Sequence, residues 1–117
     1  MKKLAYRTIL ATVFAALFIV SGHAVAGDAE AGKAKSVTCQ SCHGATGNET
    51  LNGTYPRLAG QYENYLAHAL KAYRSGERKN PIMAGFAAAL SDADIDDLAA
   101  FFASQDGPLN ILPKEGQ

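Results

Sequence analysis

The chain has 117 residues, enough for one small domain, and its 11 Lys and Arg residues are balanced by 11 Asp and Glu residues. This balance argues against nucleic acid as a partner, because phosphate binding needs a strongly basic face. Its two cysteines are also too few for the set of disulfides that stabilises many small exported domains.

The first 26 residues have the pattern of a signal peptide. Lys2, Lys3 and Arg7 form a positive start, residues 9–20 are apolar, and the A-V-A triplet at 24–26 supplies small residues for cleavage. The apolar run is short for a membrane span. We therefore expect cleavage after the triplet and export to the periplasm, with loose membrane association left open. Because the leader removes three cations and no acid, the mature net charge becomes −3.

The mature chain is predicted to be an all-α domain over 27–107, followed by an irregular tail at 108–117. Asp28 is the expected N-cap of a first helix over about 29–37, which delivers the chain into the cysteines. The segment 45–57 is rich in Gly, Asn and Thr and is predicted to be a loop. No stretch alternates between apolar and polar residues at the period of a strand.

Two or three further helices follow. Apolar residues at helical spacing, from Tyr62 to Tyr73, predict a helix that ends at Gly76. A short alanine-rich helix is expected near Ala87. Ser91 is the expected N-cap of the last helix, with a capping box made by an Asp three residues later. The total is three to four helices.

The stretch T-C-Q-S-C-H-G contains both cysteines, Cys39 and Cys42, with His43 directly after the second. This C-x-x-C-H pattern is the attachment signature of c-type haem, in which two thiols form thioethers with the porphyrin and the histidine binds the iron. A zinc site would need further ligands, and a thioredoxin-like redox site belongs on a βαβ fold. The sequence therefore predicts one covalently attached haem c.

Met83 is the candidate for the sixth iron ligand. It is the only methionine besides Met1, and it is predicted to lie in a loop marked by Pro81 and Gly85 rather than on a helical stripe. The alternative is that it fills a gap in the core, as methionines often do. His68 is the other candidate ligand, but it falls on the polar face of its helix. A His/Met pair suits an electron carrier, because the thioether favours Fe(II) and no coordination position is open.

The sequence resembles the class I c-type cytochromes, most closely single-haem cytochrome c4 or c553-like domains. The matching segments extend from residue 27 to about 105: G-D-A-E-A-G-K-A, C-Q-S-C-H-G, Y-P-R-L-A-G-Q, Y-R-S-G-E-R, P-I-M and L-S-D-A-D-I-D-D-L-A-A-F-F-A. The resemblance implies a small cytochrome c fold in which the first and last helices cross, with Gly32 allowing the ring of Phe101 to approach. It also implies that Leu98 and Phe102 face the haem.

The resemblance further implies contacts around the iron ligands. The carbonyl of Pro56 would accept a hydrogen bond from His43 and fix its tautomer, and Arg57 and Gln61 would hold the haem propionates. The tyrosines of the predicted helix that ends at Gly76 are expected to pack as ordinary helix residues: Tyr62, Tyr65 and Tyr73.

The function predicted on these grounds is one-electron transfer between respiratory redox proteins, such as a membrane cytochrome complex and a terminal oxidase or reductase. No small-molecule substrate, catalytic residue or enzyme activity is expected. The alternatives are a haem-bearing subunit of a larger redox complex, a haem enzyme or gas sensor with an open iron position, and a thiol oxidoreductase. Two charged clusters could orient docking: Lys71, Arg74, Arg78 and Lys79 around Glu77, and Asp92, Asp94, Asp96 and Asp97.

Overall fold

A computed structural model describes residues 26–109. Within this range the chain forms five α-helices, one 3₁₀ turn and no strand, which confirms the all-α prediction. The helices are α1 (Ala29–Lys35), α2 (Val37–His43), α3 (Glu63–Ser75), α4 (Pro81–Ala87) and α5 (Asp92–Ser104), and the turn is Leu51–Gly53. The predicted signal peptide, apart from its last residue, and most of the predicted tail lie outside the described residues.

The first predicted helix is divided into two. Asp28 caps α1 as expected, since its side chain accepts hydrogen bonds from the N–H groups of Glu30 and Ala31. The helix then stops before Ser36, a fully buried residue whose hydroxyl donates to the Lys33 carbonyl at 2.8 Å. Such a bond to the preceding turn competes with regular helix geometry. The cysteines therefore lie on a helix of their own, α2.

The first and last helices cross at Gly32, as the resemblance implied. A Cβ atom built on Gly32 would lie 1.9 Å from the carbonyl oxygen of Asp97 and 2.8 Å from the Cβ of Phe101. The residue before α1 is equally close to α5, because a Cβ on Gly27 would lie 1.9 Å from the Asp96 carbonyl oxygen. It is thus the backbone of α5, more than the ring of Phe101, that requires glycine on the facing helix.

The core is built mainly from the second half of α5. Residues of this helix are buried on all sides: Ile95, Leu98, Ala99, Ala100, Phe101, Phe102 and Ala103. Leu66 of α3 joins the cluster, and Cys39 and Leu58 pack against it while partly buried. Helix α2, which carries the C-x-x-C-H motif, is thereby placed directly against the hydrophobic core.

Helix α3 ends as predicted, at Gly76, which adopts a left-handed conformation with φ +79°. Of the tyrosines predicted to pack as ordinary helix residues, Tyr62, which directly precedes α3, and Tyr65 are about half exposed. Tyr73 is partly buried, and the guanidinium group of Arg78 lies 4.8 Å from its ring centroid.

Met83 lies on a helix, which corrects its placement in a loop. Asn80 caps α4 by accepting hydrogen bonds from the N–H groups of Ile82 and Met83, at 3.0 and 3.1 Å, and Pro81 takes the first helical position. An Asn-Pro pair is a regular helix start, and the sequence analysis did not use it. The predicted short helix near Ala87 is therefore this one, and it ends at that residue.

Four aspartates of α5 bind cations from other helices. Lys35 of α1 bridges Asp94 and Asp97, with N–O distances of 2.8 and 2.6 Å. On α3, Lys71 pairs with Asp96 and Arg74 pairs with Asp92. The acidic cluster and part of the basic cluster proposed for docking thus face each other within the molecule. Arg78 and Lys79 form no ion pair with any residue in the range 26–109.

The Lys35 bridge predicts a pH-dependent stability. The Lys35 ammonium group lowers the pKa of Asp94, helped by the hydrogen bonds from Ser91, and it also lowers the pKa of Asp97. A carboxyl group with a depressed pKa stabilises the folded state above its unfolded pKa, about 3.9, and that contribution is lost as the pH falls through the folded pKa. We expect Lys35→Met to unfold at lower denaturant concentration than the parent at pH 7.

The same comparison below pH 3 is the control for this prediction. There the difference in unfolding midpoint between Lys35→Met and the parent should shrink as the pH falls, because the unfolded chain takes up protons on these carboxyl groups while the folded parent, whose carboxyl pKa values are depressed, resists protonation. A difference that stayed constant from pH 7 down to pH 2 would show that Lys35 contributes through the packing of its aliphatic chain and not through its charge.

Candidate functional site

The two cysteines lie one turn apart on the same side of α2. Residues separated by three positions in a helix are neighbours on its surface, so Cys39 and Cys42 present their thiols together. Both thiols are free and partly buried, and burial raises the pKa of the Cys39 thiol. The pair therefore offers two sulfur atoms that form no disulfide at one edge of the core.

His43 is the last residue of α2 and is nearly buried, with 5% of its surface exposed. Its Nδ1 lies 2.8 Å from the carbonyl oxygen of Pro56. A carbonyl oxygen can only accept, so Nδ1 carries a proton, and in the neutral form of the ring the lone pair is on Nε2. This is the tautomer in which a histidine binds a metal through Nε2 while its other nitrogen is oriented by the protein.

The segment that supplies this carbonyl is fixed from two directions. The N–H groups of Leu58 and Ala59 both donate to the carbonyl of Gly47, at 2.9 and 3.3 Å, and the N–H of Gly60 donates to the carbonyl of Phe102 at 3.0 Å. Gly47 has a φ of +85°, and a Cβ there would lie 2.9 Å from the Phe102 ring. The position of the His43 acceptor is thus defined by the following loop and by the end of α5.

Tyr55 and Asn48 also contribute to the site, although no motif in the sequence points to either residue. The ring of Tyr55 lies 6.1 Å from that of His43, centroid to centroid, with an interplanar angle of 73°. The side-chain amide of Asn48 donates to the backbone carbonyl of Asp106 at 2.7 Å and so joins the loop to the segment after α5. Neither residue belongs to a motif whose chemistry the sequence pattern reveals.

The remaining candidate residues take less specific positions. Leu98 and Phe102 are buried in the core, and Met83 is partly buried on α4, which packs against α3. The side chain of Gln61 accepts a hydrogen bond from the N–H of Tyr62 at 2.9 Å. Arg57 is exposed and forms no ion pair with a residue in the described part of the chain.

The donor set and its surroundings fit a c-type haem. Free thiols at neighbouring helical positions match the two thioether bonds, and an imidazole nitrogen and a thioether are ligands for haem iron. Large apolar side chains are also exposed in the described part of the chain: Val37, Leu51, Tyr62, Tyr65, Ile82 and Phe86. A small domain that exposes so many large apolar side chains is typical of one whose core is completed by an apolar group.

Comparison with known proteins gives a family match over the same region. Residues 29–106 match the family model described as cytochrome c. Cytochrome c-554(548) of Halomonas halodenitrificans is 48% identical over 84 residues, which cover 69% of this chain and 100% of that protein. A relative from Thiomonas intermedia, called thiosulfate dehydrogenase electron acceptor, is 41% identical over 69 residues, 59% of this chain and 32% of that protein.

Among solved structures, the crystal structure of reduced recombinant cytochrome c4 from Pseudomonas stutzeri is similar, with a TM-score of 0.66 and 43% sequence identity. The match covers 70% of this chain and 47% of that chain. The match therefore spans the whole of the Halomonas relative, but 39–58% of the cytochrome c4 relatives and 32–34% of the thiosulfate dehydrogenase electron acceptor relatives.

Proposed function

Because the chain belongs to the cytochrome c family, we propose that it is a periplasmic one-electron carrier between respiratory redox proteins. Its cofactor is covalently bound haem c, which supplies an iron that is oxidised and reduced by one electron. Its relatives are named cytochrome c-554(548) and cytochrome c4, and two others are named electron acceptors of thiosulfate dehydrogenase, which supports a role in electron transfer. The proposal goes further in naming the ligands, the compartment and the kind of partner.

The proposed roles of the residues follow from their chemistry. Cys39 and Cys42 hold the porphyrin by thioether bonds, His43 binds the iron through Nε2, and Met83 is the second axial ligand. The bond from His43 to the Pro56 carbonyl is the observation that supports this assignment most directly, because it selects the tautomer that an iron-bound imidazole needs. A nitrogen and a thioether on the iron leave no open position, as a carrier requires.

The domain proposed to carry this function begins at residue 27. Gly27 packs against the backbone of α5, and the N–H of Asp28 donates to the side chain of Asp97 at 2.8 Å. A chain cleaved after Ala26 would keep both contacts, which supports removal of the preceding residues on export. Sequencing the N-terminus of the periplasmic protein tests this proposal: a sequence starting at Gly27 supports it, and one starting at Met1 contradicts it. Within residues 26–109, no helix is both long and apolar enough to span a bilayer.

The partners are proposed to be redox proteins that dock weakly and briefly. One related protein is named an electron acceptor of thiosulfate dehydrogenase, so a sulfur-oxidising enzyme is a reasonable donor to test beside a membrane cytochrome complex. The acceptor would be a terminal oxidase or reductase. Because the four aspartates of α5 are bound to cations of the same molecule, they contribute little free charge for steering a partner.

Carbon monoxide distinguishes a carrier from a haem enzyme or gas sensor. We expect the purified ferrous protein at neutral pH to keep its visible spectrum unchanged under carbon monoxide, because Met83 occupies the iron position that the gas would need. The measurement is a redox-titrated visible spectrum recorded with and without the gas. A carbon monoxide complex that forms at once in the native protein would contradict the carrier proposal, and Met83→Ala, which should bind the gas, is the positive control.

A further inference from the structure

We propose that Tyr55 is a positioning residue that fixes the plane of the His43 imidazole ring. This inference rests on the proposed function, since it concerns His43 as an iron ligand. It assigns a role to the ring of Tyr55, beside the known type of hydrogen bond from the histidine to a backbone carbonyl.

The hydrogen bond alone leaves the ring some freedom. The Nδ1–H of His43 meets the Pro56 carbonyl at 2.8 Å. Such a bond keeps most of its strength over a range of about 30° from linearity, and the directional preference at a carbonyl oxygen is broad. It therefore selects the tautomer and the side of the ring that faces Pro56, but it permits the ring to rock about the axis through Nε2.

Tyr55 restricts that rocking. Its ring and the His43 ring form an edge-type pair with centroids 6.1 Å apart and planes inclined by 73°, which is a favourable geometry for two aromatic rings. Rotation of the imidazole would either lose this contact or press the two rings together. Since His43 is almost fully buried, few other orientations are accessible.

The Tyr55 ring is itself well held. A residue that precedes proline is confined to extended backbone conformations, so Pro56 limits the movement of Tyr55. Beyond the proline, Leu58 and Ala59 are bonded to the carbonyl of Gly47. Two adjacent residues thus contact the imidazole ring of His43: Pro56 provides the hydrogen-bond acceptor, and Tyr55 provides the aromatic contact.

The hydroxyl of Tyr55 has no part in this role. It forms no hydrogen bond with any residue between 26 and 109, in contrast to the buried tyrosine hydroxyls that usually need a partner. The proposal therefore requires an aromatic ring at position 55 and makes Tyr55→Phe the matched control.

The test uses the haem-loaded ferric protein with cyanide bound in place of the Met83 sulfur. Cyanide is cylindrically symmetric, so the proton NMR shifts of the haem methyl groups then report the orientation of the imidazole plane. We expect Tyr55→Phe to keep the shift pattern of the parent and Tyr55→Leu to change the order or the spread of the methyl shifts. An identical pattern in Tyr55→Leu would overturn the proposal.

A second measurement compares the temperature dependence of the methyl shifts among the same three proteins. We expect Tyr55→Phe to follow the parent and Tyr55→Leu to depart from it, because a ring released from its aromatic neighbour samples more orientations as the temperature rises; an identical temperature dependence in all three proteins would contradict the proposal. The visible spectrum separates this proposal from the proposed function. A parent protein without low-spin haem refutes the assignment of the ligands, while a low-spin parent with a pattern insensitive to Tyr55→Leu refutes the role of Tyr55 alone.

Discussion

Gly32→Ala is expected to destabilise the protein strongly. The added Cβ would lie 1.9 Å from the carbonyl oxygen of Asp97, 2.6 Å from its carbonyl carbon and 2.8 Å from the Cβ of Phe101. None of these atoms can move without shifting the backbone of α5. The clash should therefore reach the upper end of the usual cost of overpacking, about 3 kcal/mol. It exceeds the gain of about 1 kcal/mol that alanine normally brings to a helix interior.

The consequence of this substitution should extend to the haem. Helix α1 leads directly into the motif helix α2, and α5 carries most of the core against which Cys39 packs. We expect Gly32→Ala to lower both the denaturation midpoint of the haem-loaded protein and the yield of loaded protein.

Gly85→Ala is the matched control for Gly32→Ala. Gly85 is also a helical glycine, but beyond its own helix backbone and chain neighbours a Cβ there would meet no atom of residues 26–109 within 4 Å. It should stabilise α4 by about 0.5–1 kcal/mol, the ordinary gain from replacing glycine in a helix. Equal denaturation midpoints for Gly32→Ala and the parent would contradict the close crossing of α1 and α5.

The parts of the fold that depend on local chemistry could be predicted from the sequence. Asp28 and the Ser91–Asp94 capping box start their helices, and Gly76 ends α3, because each of these devices involves hydrogen bonds or backbone angles within a few residues. The crossing of α1 and α5 was available only through family resemblance. A helical glycine such as Gly32 indicates that another segment can approach the helix closely, but it does not indicate which segment does so.

The parts that depend on distant contacts could not be predicted in this way. The pairing of the aspartates of α5 with Lys35, Lys71 and Arg74 joins residues that are 18 to 62 positions apart. The two charged clusters are visible in the sequence, but their position opposite each other depends on how the helices pack. The break between α1 and α2 at Ser36 also depends on the burial of this serine. Burial of a polar residue near the end of a helix cannot be predicted from the local sequence.

The same distinction between local and distant contacts applies to the residues of the candidate site. The C-x-x-C-H pattern identified the attachment cysteines and His43 as candidates because these residues are adjacent in the sequence. The ring of Tyr55 and the hydrogen bond from Asn48 to the Asp106 carbonyl come from loops. The conformation of these loops depends on Gly47 and on the backbone hydrogen bonds that its carbonyl accepts. For Met83 the residue was chosen by its chemistry, and its setting on a capped helix emerged only from the structure.

Met83→Ala is expected to give the largest functional change. If Met83 is the second axial ligand, its removal abolishes the sulfur-to-iron charge-transfer band of the ferric protein and opens the iron to external ligands. The thioether also favours Fe(II), and the identity of the axial ligands sets haem potentials over a range of about 0.8 V. The reduction potential should therefore fall by an amount on the order of 0.1–0.3 V, measured by redox titration of the visible spectrum.

Two further variants separate ligation from packing at this position. Met83→Leu keeps the volume and apolar character of the side chain but has no sulfur, so it should lose the charge-transfer band and the high potential while it preserves the fold. His68→Ala removes the other candidate ligand, an exposed residue on α3, and should leave both properties unchanged. If Met83→Leu kept the band, methionine would be a core residue here, and loss of the band in His68→Ala would transfer the ligand role to that histidine.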